Sequence, residues 1–228
     1  MFPPAELPLD EALADHEAAL ASDAAWLVKR FVCRASSLAA LPPHTPHRLS
    51  VVIDVPWSAR PPLHDERIEA IELPPPTDLA ALAAAAPEVY VELPPGADLA
   101  TIAALGLRAK IRCGGATVPT VEELAAFVGE CKRLGLPFKA TAGLHHAVRT
   151  GAAHGFLNVL AAAVFDDEAA ALAEDDAAAF TLAPEGFGWR DRHASAAEIS
   201  AARRNLFTSI GSCSFTEPVD ELRALGAL

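Results

Sequence analysis

The segment IELPPPTDLAAL at 71–82 returns twenty residues later as VELPPGADLATI at 91–102. In each copy an apolar run closes on a glutamate and a leucine, Glu72-Leu73 and Glu92-Leu93, followed by two prolines and an aspartate, Asp78 or Asp98. Proline lacks the N–H that a sheet interior needs, so the pair marks a strand exit. The aspartate is a helix N-cap, and the Leu/Ala run behind it is a helix of one to three turns. A unit this short cannot bury its own apolar face, so copies must lie side by side and share a core. The same step carries Glu72 to Glu92 to Arg112, as expected of one radial layer on adjacent strands. A twenty-residue solenoid has that period too. The leucine-rich consensus is absent, however, and the spacing lengthens to 27 residues between Arg112 and Lys139, which favours a (β/α) barrel.

The other strands follow the same design. SVVIDV at 50–55 carries Asp54, LRAKIRCGG carries Lys110 and Arg112, and LPFKATAGLHH at 136–146 carries Lys139 ahead of His145 and His146. Side chains alternate between the faces of a strand, so Lys139 and Thr141 share one face and Phe138 and Ala140 the other. A charge near the C-terminal end of each strand is where barrels of this class assemble chemistry. The clearest βα unit ends in TVEELAAFVGECKRLG, in which Thr120 and Glu123 form a capping box and Lys132 and Arg133 occupy the last turn before Gly135. WLVKRFV at 26–32 reads as strand one. Residues 9–22 read as a helix over the barrel bottom, 154–165 as a helix in preference to a strand, FTLAPEGFGWRD as a hairpin, and SAAEISAARRN as a helix capped by Ser195 and Glu198. LFTSIGSCSF reads as the last strand and PVDELRALG as the closing helix.

A complete eight-unit barrel takes ~250 residues, and this chain has 228, of which 52% are apolar. The expectation is a single compact or irregular barrel domain, 26–228, behind an N-terminal helical extension, 1–25. A net charge of −12 argues against nucleic acid, which needs a basic face. It leaves room for a small anionic ligand where positive charge is focused. The N-terminus lacks a secretory pattern and no apolar run reaches membrane length, so the chain reads as cytoplasmic with no membrane partner; homo-oligomerisation stays open. Cys33, Cys113, Cys131 and Cys213 form no CxxC pair and read as free thiols.

Chemistry concentrates on Lys139. Burial and the positive neighbours Lys110 and Arg112 would both disfavour its ammonium form, the route by which an amine becomes nucleophilic enough to form a Schiff base. Glu92 or His146 would move protons, and Arg112 with Gly114, Gly115, Gly211 and Ser212 would hold an anion. The alternative for the same charges is an internal ion network, Lys110–Glu92 and Lys139–Glu72, on a non-catalytic binding barrel. A third reading is a metal-dependent lyase or hydrolase using Asp54, Glu72, Glu92 and His145, with His154 as a further ligand. Adjacent histidines point apart and no ligand motif is present, so no metal or other cofactor is expected.

KATAG at 139–143 resembles the Schiff-base strand of the deoxyribose-phosphate aldolase family, and SIGSCSF at 209–215 is similar to that family's phosphate-binding last strand. The likeness implies a TIM barrel and a carbon–carbon lyase of class I aldolase type. Lys139 would be the imine lysine, Lys110 the second lysine, and Gly211 and Ser212 phosphate binders. As a whole, through RCGG, GLHH, HGFLN and GSCSF, the chain resembles an uncharacterised bacterial TIM-barrel-like family, which implies the fold and no chemistry. The resulting expectation is a lyase or isomerase acting on a small anionic carbonyl compound.

Overall fold

The computed structural model describes residues 7–44, 46–74, 79, 82, 85–115 and 118–228. Strands β1 (Phe31–Arg34), β2 (Leu49–Val52), β3 (Ile68–Leu73), β4 (Glu88–Glu92), β5 (Arg108–Arg112) and β6 (Phe138–Thr141) follow one another in one parallel sheet. A small antiparallel sheet of β7 (Phe180–Ala183), β8 (Gly186–Trp189) and β9 (Arg192–Ser195) comes next. The chain then returns with β10 (Phe207–Gly211), which pairs in parallel with β6. Among the described residues the main sheet thus has seven strands in the order β1-β2-β3-β4-β5-β6-β10, and β1 and β10 pair with no strand on their outer sides.

Contacts across the sheet require it to curl. On a flat sheet β3 and β6, three strands apart, would be ~14 Å from each other, yet Lys139 Nζ of β6 lies 2.6 Å from Glu72 Oε1 of β3. Tyr90 of β4 likewise meets Thr208 of β10, hydroxyl to hydroxyl, at 2.9 Å. The result is an α/β fold whose parallel sheet forms an open, irregular barrel, with a seam between β1 and β10, preceded by helix α1 (Leu9–Leu20).

Each helix forms where its sequence signals stand. Asp98 caps α2 (Leu99–Ala104) by accepting from the N–H groups of Ala100 and Thr101; its repeat partner Asp78 lies outside the described residues. Helix α3 (Val121–Leu134) has the expected capping box and ends on Gly135 at φ 61°, a left-handed position that glycine takes without penalty. Its buried stripe of Leu124, Phe127, Val128 and Cys131 packs on the outer face of the sheet, where Phe127 meets Phe138 edge-on at 5.7 Å and Phe138 stacks on Phe207 at 5.2 Å. Burial on that scale stabilises by roughly 1.5–3 kcal/mol per large side chain. Helices α4 (Phe156–Val164), α5 (Glu168–Ala173), α6 (Ala196–Asn205) and α7 (Thr216–Ala224) complete the cover. The small sheet closes over Phe165, Phe180, Phe187 and Trp189, whose rings stack or tilt against one another.

Two expectations need correction. Strand one begins at Phe31, where Leu49 becomes available to pair with it; residues 25–27 form a 3-10 turn that leaves Trp26 71% exposed. Helix α1 meets the first residue of β1, with His16 edge-on to Phe31 at 5.2 Å. Asp54 lies beyond β2 and is exposed, its carboxylate accepting from the N–H and hydroxyl of Ser36, so it ties two loops together and takes no part in the interior. The hairpin at 180–189 forms as expected and gains a third strand, β9.

Candidate functional site

Glu72 is the hub of the barrel interior. Its carboxylate accepts from Ser50 Oγ at 2.7 Å, Lys139 Nζ at 2.6 Å and Lys110 Nζ at 3.0 Å, and the whole residue is 1% exposed. The strand register explains the convergence, because Lys110 stands opposite both Lys139 on β6 and Glu92 on β4. Parallel strands in register place alternate side chains of one layer on the same face. Lys110 also reaches Glu92 at 2.9 Å, and Glu92 opens that network toward solvent with its side chain 31% exposed.

The two lysines sit in opposing fields. Burial would lower Lys110, but the charges of Glu72 and Glu92 outweigh it and raise the amine above its ordinary value. Burial pushes the Lys139 amine down, Glu72 opposes that, and Lys110 and Arg30 add to the depression, so the net direction is downward. Burial alone would raise Glu72, but Lys139 and Lys110 hold it well below the usual carboxylate range. Two neighbouring amines driven apart in this way can take different protonation states, the arrangement that separates a nucleophile from an electrostatic partner.

Below this layer, at the N-terminal ends of the strands, Arg30 binds Glu69 at 2.7 Å and Glu88 at 2.6 Å. Burial would raise Glu88, but the Arg30 contact pulls it down to about 2. Tyr90 donates to Glu88 Oε2 at 2.9 Å and holds its ring 5.4 Å from Lys139 Nζ; burial pushes its phenol up to about 12. Sequence reading passed over Arg30, Tyr90, Ser50 and Thr208. Tyr90 was legible, since alternation places it two residues before Glu92 on the same face. Arg30 was hidden inside a run read as an apolar strand.

A cavity of about 590 Å³ opens along the seam, and Lys139, Ser50, Gly211 and Ser212 line it. The structure therefore brings Lys139 together with two of the residues expected to hold an anion. Gly211 is tight against β6, since a Cβ there would stand 2.8 Å from Thr141 Cγ2.

Other candidates lie elsewhere. Arg112 is exposed and its guanidinium lies over Gly115, where an added Cβ would be 3.0 Å from Nη2. The positive neighbours that act on Lys139 are Lys110 and Arg30, and Arg112 is not among them. Gly114 is needed for loop packing, because a Cβ there would come within 2.7 Å of Gly143 Cα. His145 pairs with Glu217 at 2.6 Å and His146 with Glu221 at 3.1 Å, forming an open surface hollow with α7 that does not include Lys139. The histidines fasten the loop after β6 to the closing helix. His154 is buried, with Nε2 at 2.8 Å from the Pro119 carbonyl. The four-residue metal set is dispersed, since Asp54 holds Ser36, His145 holds Glu217, and Glu72 and Glu92 hold lysines. Among the described residues no group of three or more His, Cys, Asp or Glu side chains could hold a metal ion. No described helix is long and apolar enough to cross a membrane.

No family model, curated protein or solved structure matches this chain.

Proposed function

We propose that the protein uses Lys139 as an amine nucleophile on an anionic carbonyl compound held in the seam cavity, in carbon–carbon lyase or isomerase chemistry. The observation that carries this reading is the position of Lys139: a buried amine held below its ordinary value that also lines a cavity of about 590 Å³. Loss of the ammonium proton frees the nitrogen lone pair. The nitrogen adds to the carbonyl carbon, and the carbonyl oxygen takes a proton to give a carbinolamine. Departure of water leaves the imine, whose protonated form accepts the electron pair of the bond that breaks. Glu72 stands 2.6 Å from the reacting nitrogen and holds it in place, while Lys110 stays charged between Glu72 and Glu92. The half-buried Gly211 and Ser212, at the end of β10, are the anion contacts in this reading. His146 and Arg112 have no part in it.

The saturated Glu72 favours a second reading, in which every interior charge already has its partner and the network only holds the barrel together. Borohydride trapping separates the two. Incubation with phosphorylated and unphosphorylated aldehydes and ketones, reduction, and peptide mass spectrometry should show one dominant adduct on Lys139, absent from Lys139→Met. Unselective labelling of surface lysines across the whole panel would leave only the structural network.

A further inference from the structure

The seam is more than an entrance to Lys139. It follows β10 from Phe207 past Gly211 to Phe215, and five residues of strand span about 16 Å. Its walls are mainly apolar, with Phe156, Leu160 and Ile199 on the helix side and Trp26 and Leu27 at the rim. Trp26 at 71% and Leu27 at 37% are two of only five large apolar side chains that the described residues leave exposed, and they are adjacent in sequence. A soluble surface ordinarily scatters such residues singly, and a pair on the lip of an apolar groove marks a binding site.

The N-terminal end of the groove is cationic. Lys29, Arg30, Arg48 and Arg203 all line it. Arg30 and Arg48 are committed to Glu69 and Glu88. Among the described residues Lys29 and Arg203 have no carboxylate within ion-pair distance. The Lys29 amine makes a single 3.4 Å contact with the Thr208 carbonyl, and the Arg203 guanidinium lies 5.3 Å from the Phe207 ring. Glu88 attracts Lys29 only from beyond ion-pair distance, while Arg30, Arg108 and Arg203 repel it. Two crowded cations without counter-ions, in a chain of net charge −12, are a focused positive site in an otherwise repulsive field for anions.

We infer that the seam binds a single-chain anionic amphiphile, a medium-chain carboxylate, with its head between Lys29 and Arg203 and its tail along β10. The apolar length and the unneutralised charge at one end each specify half of that ligand. The inference holds whether or not Lys139 forms an imine, because it uses neither the Lys139 amine nor a carbonyl group.

Isothermal titration of the full chain with monomeric dodecanoate tests it, with dodecanol as tail without charge and butyrate as charge without tail. Dodecanoate should bind with one-to-one stoichiometry, at least tenfold more tightly than either. Arg203→Gln and Lys29→Gln should each weaken dodecanoate at least tenfold and leave dodecanol unchanged. Both variants should fold, since neither side chain holds a carboxylate. Trp26→Gln, at an exposed rim position, should weaken dodecanoate and dodecanol alike. Equal affinity for dodecanoate and dodecanol would overturn the inference, as would unchanged dodecanoate affinity in both charge variants. Binding to anionic phospholipid vesicles with none to monomeric dodecanoate would overturn it in favour of a membrane surface. These readouts contain no reducible adduct, so their failure is distinct from failure of borohydride trapping.

Discussion

Replacing Glu72 by glutamine removes the negative charge from a site that two ammonium groups share, while keeping an oxygen for Ser50. Lys110 keeps Glu92 at 2.9 Å, but among the described residues no carboxylate other than Glu72 pairs with Lys139. Breaking one partner out of a buried pair costs about 3–5 kcal/mol because the remaining charge is stranded. The folded variant has one escape, which is to release the Lys139 proton. With an unfolded lysine at 10.4 and about 1.36 kcal/mol per pH unit, that release costs ~4.6 kcal/mol at pH 7 and only ~1.9 kcal/mol at pH 9. The penalty at pH 7 is therefore capped near 4.6 kcal/mol and shrinks as the pH rises. In Glu72→Gln the folded Lys139 value lies far below the unfolded one, so the unfolded chain binds the extra proton throughout this window. Stability rises with pH up to the unfolded lysine value and is lost as pH falls. Urea unfolding at pH 7 and pH 9, followed by circular dichroism and referenced to wild type at each pH, measures both quantities. The double variant Glu72→Gln/Lys139→Met should recover most of the loss at pH 7 and lose the pH dependence. A penalty below 1 kcal/mol at pH 7, or one equal at the two pH values, would refute a charged Lys139 held by Glu72.

Three further outcomes follow from the geometry, beside the Lys139 trapping described above. His16 is 4% exposed, with Nδ1 unpartnered among the described residues, and burial lowers it to about 4. Wild type should therefore lose at most about 3 kcal/mol as pH falls from 6.5 to 4, with full stability above that window. His16→Phe, matched to the edge-on contact with Phe31, should remove that share of the acid sensitivity in pH-dependent urea titrations. Gly114→Ala forces a Cβ to within 2.7 Å of backbone at Gly143 and should cost about 1–3 kcal/mol in thermal or urea unfolding, as overpacking does. Thr120→Ala should cost ~1 kcal/mol by the same assay, since it deletes the cap that receives the Glu123 N–H.

What the sequence determined by itself was everything that depends on neighbours along the chain. The twenty-residue recurrence, the Pro-Pro exits, the Asp98 cap, the Thr120–Glu123 box and the alternation of Phe138-Lys139-Ala140-Thr141 specify strands, helices and faces. Each rests on local backbone geometry, and each described instance is found in the structure. The parallel order of β3 to β6 was legible too, because a shared period implies a shared layer. The ion pairs Lys110–Glu92 and Lys139–Glu72 could be read from that layer alone.

Tertiary structure decided which charges share one space. Arg112 and Lys110 are two residues apart on one strand, yet Arg112, the last residue of that strand, is exposed with its guanidinium over Gly115, while Lys110 is buried. His145 and His146 follow Lys139 closely in sequence but face α7, whose glutamates at 217 and 221 arrive from more than seventy residues away. Arg30 and Arg203 come to one groove only because the sheet curls and stays open between β1 and β10. Curl and closure are set by the sum of side-chain packing across many strands, and no single segment carries that sum. Local pattern fixes which face a residue occupies, and only the closed or open path of the whole sheet fixes what that face meets.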